Sequence, residues 1–396
     1  MSNVCVCPSC GQDGMRSFYT VDSVPTNSCI LLSSKEEAQN YPRGDVDLKF
    51  CPSCGFISNM AFDAKLTEYS GRYEETQGFS GTFNKFHKQL AERLVEKHNL
   101  KDKTVLEIGC GKGEFLNLIS ELGNNKGVGF DPGYRDDHVK NVKAENVEFI
   151  KDFYSEKYTD YKADFVCCKM TLEHIHPTDE FIGTVRRSIG DQPDTIVFFQ
   201  IPETLRILKD CAFEDIYYEH CSYFTPGSLA RLFRRNGFDV LNIETEYDDQ
   251  YLTIEARPML GGGESEPLPA EESLQDLTEL VDSFPKRSQA KIKDWETKLT
   301  GYFSEDKKVV LWGSGSKGVS FLTTLSDISE NIDYVVDINP YRQGYFMSGT
   351  GQEIVSPDFL IEYKPDVVVV MNAIYTEEIT KDLNDRGLHP VVIPLI

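Results

Sequence analysis

Residues 105–115 read VLEIGCGKGEF: an apolar run, three glycines at alternate positions, then the first residues of an amphipathic segment. Val105–Ile108 has the composition of a buried strand, and EFLNLISELG after the last glycine has helical spacing. A strand that turns through Gly109, Gly111 and Gly113 into a helix brings bare backbone to the carboxyl edge of a sheet, where a ligand can approach closely. The spacing is GxGxG, not the GxGxxG of dinucleotide-binding loops. Glu107 lies two residues before the first glycine, and Asp131 closes the next strand, 22 residues beyond Gly109. An acidic side chain there can accept hydrogen bonds from both hydroxyls of a ribose.

Strand and helix patterns alternate outward from this loop. KGVGFD, ADFVCCKM and TIVFFQIP read as strands, and TPGSLARLFRRNGF reads as a helix with Thr225 as N-cap, Pro226 in its first position and Gly237 at its end. This order predicts a parallel sheet covered on both faces. The E-x-G-x-G-x-G run with Asp131 resembles the class I S-adenosylmethionine (SAM) methyltransferases. The resemblance implies SAM as cofactor, with Glu107 near its methionine amine, Gly109, Gly111 and Gly113 as the cradle, and Asp131 on the ribose. It further implies that the residue after the third strand, Asp152 in EFIKDFY, contacts the adenine.

Cysteine spacing organises the N-terminus. Cys7-Pro-Ser-Cys10-Gly and Cys51-Pro-Ser-Cys54-Gly are near-identical knuckles. Two CxxC turns supply four thiolates, enough for a closed tetrahedral zinc site with a structural role. Cys5 is a competing ligand by proximity, and the interval between the knuckles has room for a small β-rich insert. The N-terminus has neither the basic start nor the apolar core of a signal peptide, and no apolar stretch is long enough to span a membrane. A cytoplasmic protein is expected. A net charge of −23 repels phosphate backbones, so nucleic acid is not an expected partner.

A Gly/Pro/Glu-rich stretch, RPMLGGGESEPLPAEES, marks a boundary, after which Ile292, Trp295 and Leu299 share a helix face. Alternation then resumes around VVLWGSGSKGVSFL, where Gly313, Gly315 and Gly318 have true GxGxxG spacing and Asp337 follows 24 residues on. This loop fits a nucleotide or phosphate of the substrate, or a purely structural turn. Lys317 and Arg342 are the cations expected near a substrate phosphate. The expected division is a zinc module at 1–68, a SAM unit at 69–258 with a bridging loop and helix at 69–102, a linker and helix at 259–305, and a second Rossmann-like unit at 306–396.

Two polar stretches remain, CKMTLEHIHP at 168–177 and IYYEHCSYFT at 216–225. Each follows a strand of the SAM unit, which places both on the rim where open α/β sheets carry their chemistry. The order of zinc module, SAM unit and G-S-G-x-K-G unit resembles the sugar C-methyltransferases of deoxysugar biosynthesis. That resemblance implies a small-molecule substrate, a nucleotide-linked keto sugar, and a reaction centre of His174, Tyr217, Glu219 and His220, with Tyr73 from the bridging loop. Carbon is a weak nucleophile, so a base must first remove the proton beside the carbonyl. His220 is expected as that base with Glu219 orienting it, and His174 with Tyr217 or Tyr73 as donors to the enolate oxygen. His176 is expected to pack rather than react. The segment YEETQGFSGTF departs from the antibiotic-pathway members, which leaves O- or N-methylation of another small metabolite as an alternative. A non-catalytic assembly protein that binds SAM and zinc is a further one. A monomer or small homo-oligomer is expected.

Overall fold

The computed structural model describes residues 5–135, 145–260 and 265–396. Three sheets share one chain. The first is antiparallel: β1 (Arg16–Pro25), β2 (Arg43–Phe50) and β3 (Ile57–Asn59) are joined by β9 (Ser222–Tyr223), which arrives from within the SAM unit. The second has seven strands: β4 (Thr104–Ile108), β5 (Lys126–Phe130), β6 (Val147–Ile150), β7 (Phe165–Lys169), β8 (Ile196–Pro202), β10 (Phe238–Glu246) and β11 (Tyr251–Pro258). Their order is β10-β11-β8-β7-β4-β5-β6, parallel except that β11 runs antiparallel to both of its neighbours. This is the class I methyltransferase arrangement of a Rossmann-like sheet closed by one reversed strand. The third sheet is parallel throughout: β12 (Val309–Trp312), β13 (Tyr334–Val336), β14 (Glu353–Val355), β15 (Val367–Val370) and β16 (Val391–Pro394), in the order β14-β13-β12-β15-β16.

Strand composition explains the burial. Val309–Trp312 and Val367–Val370 are buried at every position, as central parallel strands covered on both faces must be. The helix Pro226–Arg235 begins with a Thr225–Ser228 capping box and Pro226, and Gly237 follows at φ +78°, the left-handed conformation that stops a helix.

Beyond a small cluster of Ile30, Leu32, Ala38 and Tyr41, the described residues of the first 68 have no core of their own. Cys7, Cys51, Cys54 and Phe56 share a core with Leu229 and Phe233 of the SAM unit, and the Phe56 and Phe224 rings lie 4.9 Å apart. A module this small lacks the apolar content to close by itself, so it borrows a strand and a helix face. The 259–305 interval carries the helix expected there, in a longer form. Gly261–Glu264 of its glycine run lie outside the described residues, but from Leu274 to Ser304 it is one 31-residue helix. Leu277, Val281 and Phe284 on that helix pack under the N-terminal sheet, whereas Trp295 and Leu299 pack into the third sheet's core. Among the described residues, no helix is long and apolar enough to cross a membrane.

Candidate active site

The turn after β4 is a cradle that only glycine fits. Gly109, Gly111 and Gly113 all have positive φ, and a Cβ on Gly113 would sit 2.3 Å from the Phe149 ring. The Asp131 carboxylate accepts from the Gly111 N–H at 2.9 Å and the Gly133 N–H at 2.7 Å, which fixes the loop at the end of β5. Glu107 is 2% exposed, and its Oε2 has no hydrogen-bond partner. Burial raises its carboxyl to about 8, against the opposing pull of Lys169. An orphaned acidic oxygen beside a bare-backbone cradle fits a ligand with a cationic amine and a ribose, the features SAM presents. Asp152 stands at the cavity edge, its carboxylate held by Lys157 and by the Tyr158 hydroxyl at 2.6 Å.

The two polar stretches meet on the same rim. The His174 and His220 rings lie 4.9 Å apart, edge to face, and the Tyr217 hydroxyl is 2.8 Å from His220 Nε2. His174 Nδ1 lies 3.0 Å from the Glu219 carbonyl, which can only accept, so Nδ1 carries the proton and Nε2 has the free lone pair in the neutral ring. The Tyr69 hydroxyl is 3.1 Å from the same Nδ1. Burial lowers His174, with Glu219 opposing, and lowers His220 well below the usual histidine value, with His174 adding to the effect. Burial and the Glu219 charge push Tyr69 and Tyr73 up, so both hydroxyls stay protonated.

The geometry does not give Glu219 the orienting role expected of it. Its carboxylate turns away from the imidazole, accepting from Asn27 Nδ2 at 2.9 Å, the Ser28 N–H at 2.8 Å and the Ser28 hydroxyl at 2.6 Å. Asn27 Oδ1 in turn accepts from the Glu68 N–H at 2.8 Å, and the Glu74 N–H donates to the Cys29 carbonyl at 2.9 Å. Glu219 therefore ties the N-terminal segment in place, and that segment carries the bridging loop with Tyr69 and Tyr73 over the histidines. His176 stacks near Phe62 at 6.5 Å, outside the pair.

A cavity of about 1010 Å³ joins the glycine cradle, the histidine pair and the second glycine loop. The two Rossmann-like units thus present their strand ends to one space. The second loop repeats the first in detail: Asp337 accepts from the Ser314 N–H at 3.0 Å and the Asn339 N–H at 2.8 Å, as Asp131 does from Gly111 and Gly133. Lys317 and Arg342, the cations expected near a substrate phosphate, both line the cavity and already have partners within the protein. Lys317 Nζ donates to Asp215 at 2.5 Å, beside Arg206 on the same carboxylate. Arg342 is 5% exposed and donates to the carbonyls of Ser314 at 2.6 Å and Glu74 at 3.1 Å, a strap between the bridging loop and the third sheet.

The four knuckle thiols converge. Cys7 and Cys54 Sγ are 3.7 Å apart, Cys10 and Cys51 3.6 Å, and all four ligating atoms lie within 4.8 Å of one another. Four sulfurs at about 2.3 Å from a central zinc stand about 3.8 Å apart, so the set fits that ion. The knuckles fold as twins: Gly11 N–H donates to the Cys7 carbonyl at 2.8 Å and Gly55 N–H to the Cys51 carbonyl at 2.9 Å, both glycines with positive φ. Cys5 is not in the cluster.

Sequence reasoning missed several residues at the site. Tyr69 lies four positions from Tyr73 in an aperiodic loop, so spacing could not choose between them. Glu173, inside LEHIH, has both carboxylate oxygens buried without partners, and burial lifts it to about 8. Its ligating atoms fall within 4.8 Å of those of His174 and His220. Lys169 and His87 also face the cavity.

Residues 82–243 match the family model of a methyltransferase domain, and residues 267–390 match that of the C-methyltransferase C-terminal domain. The chain is 25% identical over 407 residues to the C-methyltransferase NovU of Streptomyces niveus, covering 98% of this chain and 95% of that protein. Among solved structures, the 1,6-didemethyltoxoflavin-N1-methyltransferase of Burkholderia thailandensis is 17% identical, covering 46% of this chain and 82% of its own, with a TM-score of 0.34. Magnesium protoporphyrin IX methyltransferase from Synechocystis is 15% identical, with 45% and 84% coverage and a TM-score of 0.35.

Proposed function

We propose that this chain, a SAM-dependent methyltransferase of the C-methyltransferase family, methylates a carbon beside the ketone of a nucleotide-linked keto-deoxysugar. The observation that carries the reading is the pair of neutral, mutually touching imidazoles with buried tyrosine hydroxyls around them, His174 and His220 at 4.9 Å, on the wall of the cavity that holds the cradle. Such a cluster handles protons and donates to oxygen, as enolisation requires. NovU, similar along nearly its whole length, is a C-methyltransferase.

The tautomer of His174 exchanges the roles expected for the two histidines. His174 Nε2, with its lone pair free, removes the proton beside the ketone, and the Glu219 carbonyl steadies the imidazolium that forms, through Nδ1–H. Tyr217, coupled to His220, and Tyr73 supply O–H donors to the developing enolate oxygen. The carbon so activated would take the methyl group that SAM's electrophilic sulfonium supplies, the S–CH3 bond breaking so that the sulfur leaves as the neutral thioether of S-adenosylhomocysteine. The base afterwards returns its proton to water. Glu107, Gly109, Gly111, Gly113 and Asp131 would hold SAM, with Asp152 at the adenine end, and a zinc held by Cys7, Cys10, Cys51 and Cys54 would have all four positions filled and so a structural role. The second glycine loop faces the nucleotide part of the substrate, since its Gly315 has open space where a Cβ would stand.

The test is turnover with methyl-labelled SAM and a panel of UDP-, GDP- and dTDP-linked 4-keto sugars, with the product read by carbon NMR. A methyl resonance bonded to ring carbon is expected. A label found only on oxygen or nitrogen would replace this reading with the alternative chemistry.

A further inference from the structure

Lys169 ends β7 at the cavity wall, yet neither glycine loop nor the histidine pair uses it. Its Nζ is 3.1 Å from His87 Nε2 and 4.2 Å from the centre of the Phe115 ring. An ammonium can only donate, so His87 is the acceptor in that bond and is neutral. Burial, with Lys169 adding to it, lowers His87 to about 2, and the ring is held between Phe83 and Phe115, at 5.2 Å and 5.1 Å. Among the described residues, no carboxylate lies within 4.0 Å of Nζ: the lysine touches an imidazole and an aromatic face, and the nearest acidic influence, Glu107, acts on it only at longer range. Two donor positions remain for something in the cavity.

The neighbouring strand supplies the complement. Glu107 on β4 pairs with Cys167 on β7, so Lys169, two residues further along, projects from the same face of the sheet. Two residues of strand advance about 7 Å, and adjacent strands are about 5 Å apart. One wall of the cavity therefore offers an acidic oxygen without a hydrogen-bond partner and a cation that feels its charge but has no anion in contact, separated by a span that an amino-acid head group with its two hydrogen bonds can bridge. We propose that Glu107 and Lys169 are a two-point receptor for the zwitterionic methionine head of SAM: Glu107 takes the α-ammonium, Lys169 takes the α-carboxylate, and His87 is a positioning residue that aims the lysine. This rests on the SAM reading above and adds to it the group that recognises the carboxylate.

The pairing is tested with two ligands that differ only in that carboxylate, S-adenosylhomocysteine and its decarboxylated analogue 5′-deoxy-5′-(3-aminopropylthio)adenosine. Both are titrated calorimetrically into the zinc-loaded full chain. The unaltered protein is expected to prefer S-adenosylhomocysteine by about 10- to 100-fold, the range for a hydrogen bond to a charged group. Lys169→Met should abolish that preference while leaving affinity for the analogue within about threefold, which also shows that the site is folded. Lys169→Arg should restore part of the preference, and His87→Phe should reduce it. An unchanged preference in Lys169→Met overturns the proposal, as does an equal loss for both ligands, which would make the lysine structural. Failure of the unaltered protein to bind either ligand would instead remove the SAM reading itself.

Discussion

The backbone carbonyl of Glu219 decides which nitrogen of His174 carries its proton, and the chemistry assigned to the site follows from that bond. His174→Ala is expected to lower methyl transfer about 10²- to 10⁴-fold, the usual contribution of a positioned general base, with S-adenosylhomocysteine binding unchanged. Steady-state turnover combined with calorimetry checks both halves. Burial lowers both histidines, so the base is already unprotonated at neutral pH. The kcat/KM profile should be level above about pH 6.5 and fall only as pH drops below it. The same sign governs stability. A buried histidine with a depressed pKa contributes fully above the unfolded value of about 6.5, and the contribution is lost as pH falls toward the folded value, as for His87 down to about 2. Glu219→Gln should cost about 2 kcal/mol, because an amide group replaces one acceptor facing Asn27 and Ser28. Urea titration measures that loss. The Gly109–Gly113 turn was legible because each glycine answers a local need. The destination of Glu219 was not, since its partners lie 191 and 192 residues away and no local pattern encodes such a contact.

Elements read well from the sequence where their ends carry chemistry and poorly where they are short. Thr225, Pro226 and Gly237 mark both ends of one helix by cap, ring and left-handed turn. β14 and β16, three and four residues long, offer too little periodicity to be told from loop. The cap of the helix Gly81–Lys97 is partly supplied from a distant element. Ser80 is its N-cap, and Glu378 from the third sheet's helix Thr376–Asp385 accepts from the Ser80 hydroxyl at 2.8 Å and from the Gly81 and Thr82 N–H groups at 3.1 Å. A carboxylate on these first N–H groups satisfies orphaned donors and complements the helix dipole. Glu378→Ala should therefore destabilise the chain by about 1 kcal/mol in chemical denaturation, although residue 378 is none of the reacting groups. Because that helix carries His87, the substitution should also weaken S-adenosylhomocysteine binding.

Over the whole molecule, three sheets are held in one arrangement by parts that the sequence suggested were separable. The knuckles dock on the SAM unit through Arg231, whose Nε donates to the Cys54 carbonyl at 2.9 Å, and through Arg235 to the Ser9 carbonyl. Metal analysis should find one zinc per chain at the four thiols. Its removal by a chelator should cost several kcal/mol, on the order expected for a structural site, and should loosen the bridging loop that brings Tyr69 and Tyr73 to the histidines. Activity should then fall with stability although no reacting group has changed. The sequence pointed to a C-terminal unit closing over the pocket, but not to the contacts that set the two sheets, which depend on the long helix and on Arg342, neither of which advertises its partners.

In the proposed reaction a proton leaves carbon before the methyl group arrives. Proton NMR tests this on the nucleotide-linked keto sugar proposed as substrate, incubated in deuterated water with the enzyme and S-adenosylhomocysteine, so that methyl transfer cannot occur. The signal beside the ketone should be lost with the unaltered enzyme and persist with His174→Ala. Methylation of that substrate by the enzyme with no exchange at the neighbouring carbon would contradict that order.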